Sequence, residues 1–268
     1  MLIVGELINA SRKSVKEAIE KKDVEAIGSL AKEQVEGGAD YVDVNAGVFV
    51  DTEVELMKWL VETVQGAVDA PCCIDSPNPK AIEAGLSVHK GKPMINSISL
   101  EKDRFEALLP VVEDTDCKVV ALCMSDEGMP ETRDARVGIA DKLIGALTDK
   151  GMDLDDIYVD PLVQPLSTSD KYGVEFLDAI NAIMGKHKGV HTIAGMSNIS
   201  FGLPERKLIN QVFMIMAVAN GLDGAIANPL DRRMMAQITV ANALAGNDEY
   251  CGEMLAAYRA GKLDLKEN

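Results

Sequence analysis

In the stretch PCCIDSPNPKAIEAG (71–85) a carboxylate closes an apolar run. Asp75 follows Cys72-Cys73-Ile74 directly, and Ser76-Pro77-Asn78 then breaks the chain. The arrangement recurs. Asp43 and Asn45 interrupt YVDVNAG (41–47), Asn96 interrupts PMINSIS (93–99), and Asp160 ends DIYVD (156–160). Glu6 and Asn9 close the first apolar run, and Ser197-Asn198 close the seventh. An unpaired polar group inside an apolar strand costs about 1–3 kcal/mol. Repeating that cost in one core implies a ligand that satisfies the groups. The set is rich in carboxylates and carboxamides and poor in Lys, His and Cys. Paired carboxylate oxygens accept adjacent N–H groups of a planar heterocycle, and a carboxamide reads a neighbouring N and O. No lysine stands inside a strand for Schiff-base chemistry, no Ser-His-Asp set is visible, and His89, His187 and His191 have no metal-ligand spacing, so no metal is expected. Asp and Asn also cap helices and start turns. Asp126 and Asn228 read as such caps, and Asp160 reads either way because Pro161 follows it.

These residues must be carried by elements that bring them to one place. Short apolar runs alternate with amphipathic segments along the whole chain. Strands are expected at 2–8, 41–47, 72–75, 93–99, 118–124, 156–160, 191–197 and 223–228. Each is followed by residues with helical 3–4 spacing, such as 52–68, 79–86, 134–151 and 172–187. Residues 13–37 carry two helical stretches, with Asp23 as N-cap of the second. Alternating strands and helices form parallel sheets. Eight such units in 268 residues have the size of one closed (β/α)8 TIM barrel, with 1–268 as a single domain. A doubly wound sheet is the alternative, but GELINASRK after the first strand is not a glycine-rich phosphate loop. In the barrel, all the strand ends named above converge on one rim.

Composition narrows the partners. With 27 basic and 43 acidic residues the net charge is −16, a surface that repels nucleic acid and anionic membranes. The five Cys are odd in number and match no zinc or redox spacing. MLIVGELINASRK has no basic leader, and LINQVFMIMAVANGL (208–222) is short for a membrane span, so a cytoplasmic location is expected. Within it, VFMIMAVA (212–219) reads as core or as a dimer face.

GELIN, DVNAG, CIDSPNPKAIEAGL, INSIS, YVDPL and GMSNISFGLPERKLIN together resemble the methyltetrahydrofolate:corrinoid protein methyltransferases, members of the pterin-binding barrels, from Met1 to about Cys251. The resemblance implies that Asp75, Asn96 and Asp160 hold the pterin ring and that Asn198 reaches N5, making Asn198, Asp75 and Asp160 the catalytic set. Asp43 and Asn45 would line the cavity floor or support the residues that touch the ring. Glu6, Ser197 and Arg206 would lie at the rim or behind the residues that touch the ring, with Arg206 able to attract the folate glutamate. Tetrahydrofolate or 5-methyltetrahydrofolate is then the substrate, and the corrinoid (cobalamin) arrives on a partner protein. The family is often dimeric. The related dihydropteroate synthases fit worse: their Ser-Arg-Lys and Arg-x-His motifs are replaced here by Met196-Ser197-Asn198 and Ala227-Asn228-Pro229. The sequence does not fix the direction of transfer. Methylation of tetrahydrofolate in an O-demethylase system is the favoured expectation, with transfer to a corrinoid iron-sulfur protein in acetyl-CoA synthesis or a non-catalytic pterin-binding subunit as alternatives.

Overall fold

A computed structural model describes residues 1–265; residues 266–268, the end of the expected single domain, lie outside it. Eight parallel strands close into a barrel in sequence order. They are β1 (Leu2–Asn9), β2 (Tyr41–Asn45), β3 (Cys72–Asp75), β4 (Met94–Leu100), β5 (Lys118–Ser125), β6 (Ile157–Asp160), β7 (His191–Gly195) and β8 (Gly224–Ala227). The outer layer comprises α1 (Lys13–Glu20), α2 (Val24–Glu36), α3 (Glu53–Ala67), α4 (Pro79–Leu86), α5 (Lys102–Glu113), α6 (Arg133–Asp149), α7 (Tyr172–Lys186), α8 (Arg206–Ala219) and α9 (Arg232–Leu244). The expected (β/α)8 barrel is therefore present. The sequence did not foresee α10 (Gly252–Arg259), which packs on α9.

Local chemistry explains the boundaries. Asp23 caps α2 by accepting from the Ala26 N–H. Asn78 caps α4 by accepting from the Lys80 N–H, with Pro79 at the first helical position, where its missing N–H costs nothing. Asp231 caps α9. The seventh strand stops earlier than expected. Its last ladder partner is Gly195 opposite Ile226, and β8 ends one residue later, so Met196–Ser200 winds instead into a 3-10 turn. In β1, Gly5 is required by packing: a Cβ there would meet the Gln34 Oε1 at 2.6 Å, and that oxygen accepts from the Leu7 N–H.

The barrel interior holds one layer of packed side chains: Val4, Tyr41, Cys73, Met94, Val120, Tyr158 and Ile193. Strand side chains alternate faces. Glu6, Asp43, Asn45, Asp75, Asn96 and Asp160 are two or four residues beyond these interior positions, so all point inward, one or two layers nearer the C-terminal mouth. Two larger apolar clusters lie between the sheet and the helices.

Candidate functional site

The ladder register aligns the polar ends. Asp75 pairs with Asn96, Asn9 with Asn45, and Leu122 with Asp160. The Asn45 Nδ2 donates to Asp75 Oδ2 at 2.8 Å, while its own Oδ1 accepts from the Gly47 N–H at 2.9 Å. Asp75 is thus bound to a side chain of the ring, and the helix-cap role at this strand end belongs to Asn78. Asp160 is both ring member and turn residue: its Oδ1 accepts from the Leu162 N–H at 2.8 Å. The expected caps differ in detail. Asn228 accepts from the Leu230 N–H in a turn, and Asp126 accepts from the Lys102 N–H.

Asp43 is deepest, with 2% exposure. Its Oδ1 is buried with no hydrogen-bond partner. Burial pushes its pKa well above the usual carboxylate range, the neighbouring Asp75 and Glu6 charges push it further, and the Cys73 thiol and Asn96 oppose them. Burial also raises Asp75, against the Asn45 hydrogen bond and the Arg104 charge. Asp160 is raised to about 7 by burial, with the Leu162 N–H and Arg136 acting against it. Glu6 is raised by burial in spite of Arg12, which donates to it at 2.7 Å. The mouth therefore gathers carboxyls whose charge is poorly solvated, one with an orphaned oxygen. N–H donors of a bound ring would relieve that cost.

A cavity of about 890 Å³ opens beside β3, β4 and β5, lined among others by Asp75, Ser97, Arg104, Leu122 and Met124. A hollow of about 100 Å³ at the opposite side of the mouth is lined by Glu6, Ser197 and Asn228. Ser197 and Asn198 are exposed on the 3-10 turn. Arg206 fastens that turn: its Nε donates to Ser200 Oγ at 3.1 Å and a terminal nitrogen donates to the Ser197 carbonyl at 2.9 Å. Among the described residues, no group of His, Cys, Asp and Glu is arranged to hold a metal ion, and no helix is long and apolar enough to cross a membrane.

Residues that sequence reading missed lie just outside the ring. Arg136 has no exposure; its Nε donates to the Pro161 carbonyl at 2.8 Å, directly after Asp160. Glu53 is buried and accepts from Ser76 Oγ at 2.5 Å. Arg104 donates to the carbonyls of Ser76, Pro77 and Ser97. The available signal was a charge on an otherwise apolar helical stripe: Arg104 stands in line with buried Leu108 and Val112, Arg136 with Ala140, Leu143 and Ile144, and Glu53 with Leu56, Met57 and Leu60.

A parallel barrel whose mouth presents this ring defines the class: the chain belongs to the pterin-binding enzymes, whose family pattern matches residues 5–228. Within that class it groups with the methyltetrahydrofolate:corrinoid methyltransferases. It is 38% identical over 265 residues to a methylcorrinoid:tetrahydrofolate methyltransferase of Eubacterium limosum, covering 98% of each chain. It is also 32% identical over 241 residues to methionine synthase of Mycobacterium leprae, covering 85% of this chain and 20% of that protein. Dihydropteroate synthase from Xanthomonas albilineans in complex with 7,8-dihydropteroate superposes with a TM-score of 0.71 over 91% of this chain and 92% of that one, at 20% identity; this likeness is one of fold.

Proposed function

We propose that the protein is a methyltransferase moving a methyl group between N5 of tetrahydrofolate and the cobalt of a corrinoid carried by a separate protein, in the direction that forms methyltetrahydrofolate, within an O-demethylase or similar multi-component system. The observation that carries this is the inward ring Asp43, Asn45, Asp75, Asn96 and Asp160, with an orphaned buried Asp43 oxygen, in a chain similar end to end to a methylcorrinoid:tetrahydrofolate methyltransferase.

In this reading Asp75, Asn96 and Asp160 hold the ring through its amino group and ring nitrogens, and Asp43 and Asn45 form the floor beneath it. Positive charge develops at N5 in either direction of transfer. Asn198 serves that atom. Among the described residues nothing hydrogen-bonds its carboxamide, so it can turn to accept or donate as the charge changes, at a point fixed by Arg206. The carboxylates add a field that favours a cationic ring. Most of the acceleration comes from positioning, because no covalent intermediate with the protein is required. The corrinoid partner supplies the methyl group at the open rim, where Ser197 and Asn198 are exposed. The test is methyl exchange between methylcobalamin and tetrahydrofolate, run both ways and followed by the cobalt spectrum; an unchanged spectrum in both directions would sink the proposal.

A homodimer is part of this reading. On α8 the apolar residues Leu208, Val212, Ile215 and Met216 are exposed and spaced i, i+4, i+7 and i+8, forming one continuous stripe. Sedimentation of the wild-type protein should give twice the mass of one chain, and of V212D/M216D a single chain's mass.

A further inference from the structure

Two strand ends of the ring are gripped from outside the barrel by one side chain. Arg104 on α5 sends its Nε to the Ser97 carbonyl at 2.8 Å, one terminal nitrogen to the Pro77 carbonyl at 2.8 Å, and the other to the Ser76 carbonyl at 3.0 Å and to Ser97 as well. Ser76 and Pro77 directly follow Asp75, and Ser97 directly follows Asn96. Asp75 and Asn96 are themselves the last paired residues of the β3–β4 ladder. Beyond them a backbone bond from Ser76 N–H to the Asn96 carbonyl, at 3.2 Å, continues the contact. The ladder thus sets Asp75 and Asn96 side by side and ends with that bond, at the height where a ligand would lie. A planar fork of donors reaching three carbonyls braces the two segments just past that last bond, and a lysine, with its point charge, cannot span them. Arg104 also lines the cavity that Asp75 and Ser97 line.

We infer that Arg104 is a positioning residue for the pterin ring: its guanidinium ties together the segments that leave β3 and β4 and so holds the Asp75 and Asn96 side chains at the spacing the ladder gives them. The inference rests on the folate reading above. The side chain also has an electrostatic consequence, because its charge favours the ionised form of Asp75, the form that accepts N–H donors from the ring.

The two effects separate in tetrahydrofolate binding measured from pH 5 to 8 on wild-type protein, R104K and R104M, with thermal unfolding alongside. R104K keeps the cation and loses the fork. It should bind about tenfold more weakly at every pH, as expected for losing hydrogen bonds from a charged group, with the acid limb of the profile in place. R104M should bind more weakly still, and its acid limb should move to higher pH, since Asp75 without a neighbouring cation takes up its proton earlier. Should R104M fail to fold, R104K decides alone. Wild-type affinity in R104K, or an R104M loss that tracks only the fraction of folded protein with the acid limb unmoved, would overturn the inference. If wild-type protein binds tetrahydrofolate and the variants behave as expected while methyl exchange is absent, the clamp stands and the methyltransferase reading fails. If wild-type protein binds no tetrahydrofolate, both fall.

Discussion

Burial raises the pKa of Asp160 to about 7, so its charge changes near neutrality, and the sign of the effect on folding can be worked out. The folded state holds this proton more tightly than the unfolded chain, whose Asp titrates near 3.9. Stability therefore falls as pH rises between those two values, and above the folded pKa the whole penalty of a buried charge is present. Replacing Asp160 with Asn removes the charge and keeps the shape. D160N should be about 1–3 kcal/mol more stable than the wild type at pH 8, a range discounted for the partial exposure of the group, with a smaller advantage at pH 5 that vanishes below about pH 4. The same variant should bind folate more weakly, because one N–H acceptor becomes a carboxamide. Melting curves at the two pH values, read beside folate titrations, check both halves; equal stability gains at pH 5 and pH 8 would show that the charge is not the cause. Asn198 is the opposite kind of residue, exposed and, among the described residues, with no hydrogen bond to its carboxamide; its backbone carbonyl accepts from the Phe201 N–H. N198A should leave folding intact and folate binding within a few-fold of wild type, while kcat for methyl exchange falls by about 100-fold or more, the scale on which loss of a transition-state hydrogen bond is felt. Stopped-flow spectra of the cobalt with saturating folate give that number directly.

At the scale of elements, the 3-10 turn Met196–Ser200 is what places Asn198, and Arg206 at the start of α8 is what holds the turn. Both hydrogen bonds of the Arg206 side chain, one from Nε and one from a terminal nitrogen, go to this turn, which argues against a side chain free to reach a folate glutamate. R206A should lower kcat by about tenfold, and by the same factor for tetrahydrofolate and for a tetrahydropterin without the glutamate tail. A loss confined to the tailed substrate would return Arg206 to glutamate binding. How far such elements were readable in the sequence follows from the physics of each. The strand ends were readable because side chains alternate in and out with a period of two: one Asp or Asn at the right parity in an apolar run identifies its own face, as at Asp75 and Asn96. The start of α4 was readable because Asn78-Pro79 carries its own local chemistry. The 3-10 turn was not, because β7 ends where its neighbour β8 ends, and no pattern within HTIAGMS records the length of another strand. Arg104, Arg136 and Glu53 were not read either. Charged residues are common on outer helices; their place on an apolar stripe marks these three as inward-facing, but the carbonyls and the serine that they meet come from distant segments that no helical pattern records.

The whole molecule divides its work between two ends. The C-terminal mouth holds the ring; the N-terminal end is closed by a different polar set. Tyr158 stacks on His191 with ring centroids 4.7 Å apart, and the Lys118 ammonium lies 5.1 Å from the Tyr158 centroid. His191 Nδ1 bonds Asp223 at 2.6 Å, its Nε2 bonds Asp155 at 3.1 Å, and Lys92 bonds Asp156 at 2.6 Å. These contacts join β5, β6 and β7 to the segments that feed the strands, and they close the barrel floor beneath the Tyr41 and Tyr158 layer. The Asp223 bond raises the pKa of His191, partial burial opposes it, and the Asp155 bond adds to the rise. A histidine whose folded pKa is raised lends stability that is fully present below its unfolded value of about 6.5 and is lost as pH climbs through the folded value. Thermal stability of the wild type should therefore decline from pH 6 to pH 8. In H191Q, which keeps a polar side chain but cannot become cationic, that decline should shrink by about 1 kcal/mol, with the deficit relative to wild type largest at pH 6. Because the floor lies at the end of the barrel away from Asp75, Asn96 and Asp160, H191Q should exchange methyl groups as fast as the wild type at temperatures where both are folded. An H191Q protein whose stability follows the wild-type pH curve, or whose folate affinity drops while its stability does not, would mean that the two ends of this barrel are not independent.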